Sequence, residues 1–138
     1  MRSIKVAITL DDRGGLSFNN RRQSRDSLLV ADLCKKSDTG IYVSAYSAPL
    51  FEEWKDWIHV VDNPLSDCPD GGLAFVEREH IGKHVNEISE LIVYRWNKHY
   101  PSDMRLDVDI KASGFKMTAK YEFVGSSHEK ITKEIYKR

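Results

Sequence analysis

Residues 3–10, Ser-Ile-Lys-Val-Ala-Ile-Thr-Leu, are rich in β-favouring side chains and almost continuously apolar. A strand with one face in water alternates apolar and polar residues. A run this unbroken fits a strand covered on both faces, in the middle of a sheet. Asp11 to Gly15 ends it with turn residues.

A polar connection follows, and then an apparent helix. The connection holds Asp11, Asp12, Arg13, Gly14 and Gly15, then Asn19, Asn20, Arg21, Arg22, Gln23, Ser24, Arg25 and Asp26. Ser24 is the expected N-cap of a helix over 25–36, because its hydroxyl can accept from a first-turn N–H. Leu28, Leu29, Leu33 and Cys34 are its expected apolar face, and Lys35 and Lys36 suit its negative end.

The alternation of strand and helix continues. A turn at 37–40 leads to a strand over 41–45. Ser47 can cap a second helix with Pro49 in its first turn and Leu50, Phe51, Trp54 and Trp57 as its buried face. A strand over 58–61, a Pro- and Gly-punctuated loop over 62–72, a strand over 73–76, a helix over 81–88 and a strand over 91–96 come next. Beyond Tyr100-Pro101 the pattern becomes strand only. Leu106, Val108 and Ile110 alternate. So do Phe115, Met117, Ala119, Tyr121 and Phe123, and less cleanly Ile131, Lys133 and Ile135. The last two runs read as an antiparallel hairpin turning at 125–129. The expectation is one α/β domain over 1–138, three-layered, with a mainly parallel sheet and an antiparallel C-terminal hairpin.

Lys and Arg number 21 and Asp and Glu 21, so no global field draws the chain to nucleic acid or to an anionic membrane. No apolar run approaches the length of a membrane span. Cys34 and Cys68 lack zinc or redox spacing and read as reduced thiols. A cytoplasmic location is the expectation, since the chain enters its first strand without an apolar leader.

The run Phe115-Lys-Met-Thr-Ala-Lys-Tyr-Glu-Phe, then Ser127-His128 and residues 131–138, resembles the final hairpin of dihydrofolate reductase, and the order of elements fits that family throughout. Gly14-Gly15 sits where the family has its glycine after the first strand. Asp26 falls where bacterial members carry the catalytic acid. The resemblance implies a reductase frame, but several of its motifs differ here. Where the family has a glycine run that lets backbone approach the cofactor pyrophosphate, this chain reads Glu77-Arg78-Glu79-His80. Its Gly-Arg-x-Thr, whose arginine reads the NADPH 2′-phosphate, appears as Ser44-Ala45-Tyr46-Ser47. The threonine beside the catalytic acid appears as Met104, and the substrate-loop tryptophan and proline appear as Arg21, Arg22 and Gln23. The chain is also short between Val61 and Leu73. These departures give a reduced member of the fold without NADPH or any other cofactor as the expectation.

The candidate ligand-binding set is Asp11, Arg21, Arg22, Gln23, Arg25, Asp26 and Ser47, with Asp26 the candidate catalytic group. Arginine's planar fork suits phosphate or carboxylate. The alternative is a solvated loop whose arginines pair with Asp11, Asp12 and Asp26. For Asp26, general acid–base work stands against a first-turn aspartate that stabilises the helix dipole. An arginine beside it would keep it ionised. His80 and His84, spaced i, i+4 near Glu77, have metal-ligand spacing but no third ligand, so no metal site is assigned. Trp54, Trp57 and Trp96 read as packing residues. The favoured function is a small-molecule-binding protein whose ligand is pterin-like or phosphorylated, in a cleft at the C-terminal ends of the first two strands. The alternatives are an oxidoreductase with altered cofactor use, or an RNA-processing or nucleic-acid-binding protein using Arg21, Arg22 and Arg25.

Overall fold

In the computed structural model, which describes residues 2–37 and 39–138, the apolar run is strand β1 (Ile4–Leu10) at the heart of a sheet. It lies between β6 (Leu73–Phe75) and β7 (Ile88–Arg95), parallel to both. Outward from β6 come β4 (Ile41–Val43) and β5 (Ile58–Val60), also parallel. Outward from β7 come β10 (Ile131–Lys137) and β9 (Lys116–Phe123), both antiparallel to their neighbours. Among the described residues the order is therefore β5-β4-β6-β1-β7-β10-β9. The expected hairpin is present, with Ile131 opposite Phe123 across the turn.

Both faces of β1 are dry. Ile4, Val6, Ile8 and Leu10 enter one apolar cluster with Leu65, Ile81 and Phe115, while Ala7 enters the other with Leu29, Leu33, Phe51 and Trp96. Helix α1 (Ser27–Lys36) covers the second face, and helix α2 (Pro64–Asp67) with the segment 104–110 covers the first. The result is the expected three-layer α/β fold with a mainly parallel sheet. Buried Lys133 of β10 reaches Asp32 of α1 at 2.7 Å and ties the hairpin to that helix.

Several elements differ from expectation for local physical reasons. The N-cap of α1 is Asp26, not Ser24, and the buried face uses Val30 while Leu28 is 48% exposed. Residues 48–57 form a kinked 3₁₀ segment, with non-helical dihedrals at Phe51 and Trp54, so only Phe51 is fully buried and Trp57 is 40% exposed. The helix expected over 81–88 is a 3₁₀ turn at Gly82–Glu87, and the loop over 62–72 contains α2, capped by Asn63. The expected strand through Leu106, Val108 and Ile110 is absent: after β8 the chain makes a further bond, from the Leu106 N–H to Gly14 O, and then turns its apolar side chains onto the core. Those residues instead pack on the core as an irregular strap. Asp38, in the expected 37–40 turn, lies outside the described residues.

The polar connection is also more ordered than a loop. It contains β2 (Gly15–Phe18) and β3 (Arg21–Arg22), which form a small sheet with β8 (Met104–Arg105). Because β5, β4, β6, β1 and β7 run parallel, the segments after each emerge along one edge of the sheet. In open α/β sheets that edge builds the binding crevice.

Candidate functional site

Asp11 leaves β1 fully buried, and its carboxylate closes the turn that follows. Oδ1 accepts the N–H groups of Arg13 at 2.9 Å and Gly15 at 2.7 Å, and Oδ2 accepts Gln23 Nε2 at 3.1 Å and the Tyr100 N–H at 3.3 Å. Burial opposes ionisation, but the Gly15, Arg13 and Tyr100 amides with Gln23 outweigh it and lower the Asp11 pKa. Gly14 turns the chain at φ 75, and a Cβ on Gly15 would stand 2.6 Å from Ser102 Cβ. Asp11 and Gln23 thus anchor the connection to the segment at Tyr100-Pro101.

The arginines do not converge. Arg22 turns inward and holds Glu77, with Nε 2.8 Å from Oε2 and Nη2 3.2 Å from Oε1. Ser47 Oγ donates to Oε1 of the same carboxylate at 2.7 Å. The Tyr46 ring carries both Arg22, 4.4 Å from its centroid, and Arg78, at 3.7 Å. Glu77 is 5% exposed, so this pair lies in the crevice just past the end of β6. Arg21 and Arg25 are exposed and make no ion pair among the described residues.

Asp26 has a different partner from the arginine expected there. Its Oδ1 accepts the N–H groups of Leu28 at 3.0 Å, Leu29 at 3.2 Å and Ser126 at 2.9 Å. Its Oδ2 accepts the Ser127 N–H at 2.9 Å, Ser127 Oγ at 3.2 Å and His128 Nδ1 at 3.1 Å. Burial favours the neutral acid, but the Ser127 and Ser126 amides, His128 and the Leu29 amide together hold the carboxyl well below its ordinary range. Asp26 therefore stays ionised, caps α1 and fastens the β9–β10 turn to it.

His128 is the group that residue patterns did not single out. Its side chain is 2% exposed, and its ring stacks on Trp96 with centroids 4.5 Å apart. Nε2 stands 3.0 Å from Tyr100 Oη and 3.1 Å from Ser24 Oγ. Ser127-His128 was visible only as part of the hairpin turn; its partner Asp26 lies 102 residues away, a distance local patterning does not span.

An open cleft of about 380 Å³ lies between the start of α1, the start of the 3₁₀ segment and the β9–β10 turn. Val30, Pro49 and Leu50 give it an apolar wall, and Arg25, Ser126 and Ser127 a polar one. Its volume falls in the range of small-molecule sites, about 300–1,000 Å³. A small inner chamber of about 10 Å³ shares Arg25, Asp26, Val30 and Leu50 with it and is also lined by Thr9, Ser24, Glu77 and Trp96. Of the candidate residues, Arg25 and Asp26 meet at the cleft. Arg22 and Ser47 converge on Glu77 instead, Asp11 and Gln23 brace the connection, and Arg21 points to solvent. His80 is exposed and His84 Nδ1 pairs with Glu87 at 3.0 Å; no group of three metal-ligand side chains is gathered among the described residues. Nor is any helix among them long and apolar enough to cross a membrane.

No protein-family model matches the chain, and no curated protein does. Among solved structures it is similar to the dihydrofolate reductase of Enterococcus faecalis complexed with NADP(H) and RAB-propyl, with a TM-score of 0.66. The likeness covers 99% of this chain and 96% of that one at 9% sequence identity. The chain thus has a dihydrofolate reductase-like fold.

Proposed function

We propose that this chain is a small-molecule-binding protein on a dihydrofolate reductase-like frame, and that it takes an anion-bearing, partly apolar ligand in the cleft beside α1. The observation that carries the reading is the cleft itself, with an apolar wall at Val30, Pro49 and Leu50 and the unpaired Arg25 guanidinium at its rim. A flat organic body would lie against the wall, and its carboxylate or phosphate would meet the arginine. A folate-like or a phosphorylated molecule fits that description. Asp26 serves the site as a frame, since its carboxylate is already filled from within.

Reductase chemistry with NADPH is disfavoured in this reading. A carboxyl held ionised by its neighbours is a poor proton donor near neutral pH. The space past β6 holds Glu77 locked to Arg22 and Ser47, with Glu79 close behind, so a pyrophosphate would meet carboxylates rather than bare backbone amides. The balanced charge also argues against a nucleic-acid partner.

A thermal-shift series with folates, nicotinamide cofactors, nucleotides and short RNA tests the proposal, because a ligand of the native state raises its melting temperature. An anionic small molecule is expected to stabilise the protein, and Arg25→Ala to weaken that ligand by about tenfold or more, the loss of one charge-assisted hydrogen bond. Stabilisation by RNA alone, or undiminished binding in Arg25→Ala, would contradict it.

A further inference from the structure

The contacts around His128 have a chemical order. Asp26 stays ionised and can only accept, so His128 Nδ1, 3.1 Å from Oδ2, carries the ring proton. That leaves Nε2 with one lone pair, which accepts from either the Ser24 hydroxyl, at 3.1 Å, or the Tyr100 hydroxyl, at 3.0 Å. Carboxylate, imidazole and serine hydroxyl are thus in series, the arrangement by which a base draws the proton from a nucleophile. Such a set is recognised by geometry and roles, on any fold.

Two further observations bear on Ser24. The serine lines the inner chamber that adjoins the cleft. Trp96, a residue 2% exposed, lines the same chamber, and its indole N–H finds no hydrogen-bond partner among the described residues. A buried donor left unpaired is rare and calls for a reason. A carbonyl oxygen in the chamber would satisfy it.

We propose that Ser24, His128 and Asp26 form an acyl-transfer site, and that the cleft hydrolyses small-acyl esters whose alcohol part carries an anionic group. The proposal rests on the cleft reading above and names its substrate class. Ser24 Oγ bonds to the carbonyl carbon as its proton passes to His128 Nε2. The carbonyl π pair moves onto oxygen, where the Trp96 N–H receives it. The oxyanion collapses, the bond to the leaving oxygen breaks, and that oxygen takes the proton from His128. Water then attacks the acyl-serine, yields its proton to His128 and releases the acid; the serine oxygen regains its proton from the imidazolium. The chamber, at about 10 Å³, holds one water-sized group. Only the ester carbonyl oxygen enters it, and an acyl part larger than acetyl would be held off Ser24. The alcohol part lies in the outer cleft against Leu50, with its charge at Arg25.

The test uses the whole chain. p-Nitrophenyl acetate is supplied as chromogenic substrate, and a fluorophosphonate as covalent probe with peptide mass spectrometry. The expected results are turnover of the acetate faster than of the octanoate, phosphonylation at Ser24, and loss of more than about 100-fold in turnover for Ser24→Ala, as for removal of an attacking serine. Folding of the variant is checked by circular dichroism. Equal turnover in folded Ser24→Ala, or no label at Ser24 in the wild type, would overturn the proposal; the labelling result decides alone if the variant does not fold. If labelling fails while an anionic ligand still raises the melting temperature in an Arg25-dependent way, the hydrolytic reading falls and the binding reading stands.

Discussion

Asp26 shows how much one side chain can join. It caps α1 through Leu28 and Leu29, holds the β9–β10 turn through Ser126 and Ser127, and orders His128. Asp26→Asn can keep its oxygen for the Leu28 and Leu29 N–H groups, but it turns an NH₂ toward the Ser127 N–H and His128 Nδ1, and is expected to cost about 1–3 kcal/mol from the unpaired buried donor. Urea denaturation at pH 7 measures that. The pH dependence has a definite sign. A folded pKa depressed below the unfolded value gives stability that is fully present above the ordinary carboxylate range and lost as pH falls through and below it. Wild-type stability should therefore decline on acidification more steeply than that of Asp26→Asn; parallel curves would show that Asp26 is not the linked group. The position of Asp26 at a helix start was legible in the sequence, but that it is the N-cap in place of Ser24 was not. Nor was its partner. The concentration of arginines nearby pointed to a guanidinium, and the hairpin turn brought a histidine instead.

At the scale of elements, strands were legible wherever burial was two-sided or alternation was long. β1, β9 and β10 all lie where the sequence placed them. Misreadings fell where a tertiary constraint overrode a local pattern. The alternation of Leu106, Val108 and Ile110 marks a strap lying on the core, which shares the period of a strand without its ladder. Three-residue spacing of Phe51, Trp54 and Trp57 suits a 3₁₀ segment as well as a helical face. The turn joining β9 to β10 gives a sharp test. A Cβ on Gly125 would stand 2.8 Å from Asp26 Cγ and from Ile131 Cδ1. Gly125→Ala is expected to cost about 1–3 kcal/mol, the range for overpacking a tight contact. Hydrogen exchange should show the loss at the N–H groups of Ser126 and Ser127; unchanged protection there would mean that the turn is not clamped on Asp26.

At the scale of the whole molecule, the strand–helix alternation and terminal hairpin were enough to recover a fold that shares 9% identity with the solved reductase. The site was less legible because its groups come from the connection after β1, the end of β6, the segment after β7 and the final turn, and only the fold brings them together. Glu77 is the clearest instance: as a sequence it is a carboxylate where a phosphate would approach, and in the fold it is also the buried partner of Arg22 and Ser47. On the proposed reading the fold keeps the frame, and the Glu77–Arg22 pair takes the place where a cofactor phosphate would approach. Fluorescence titration with NADPH tests that claim most directly, because Trp96 lines the inner chamber and reports on its occupancy. The expected result is no saturable change up to about 100 μM, a binding free energy weaker than about −5.5 kcal/mol. Saturable quenching at micromolar NADPH would contradict it.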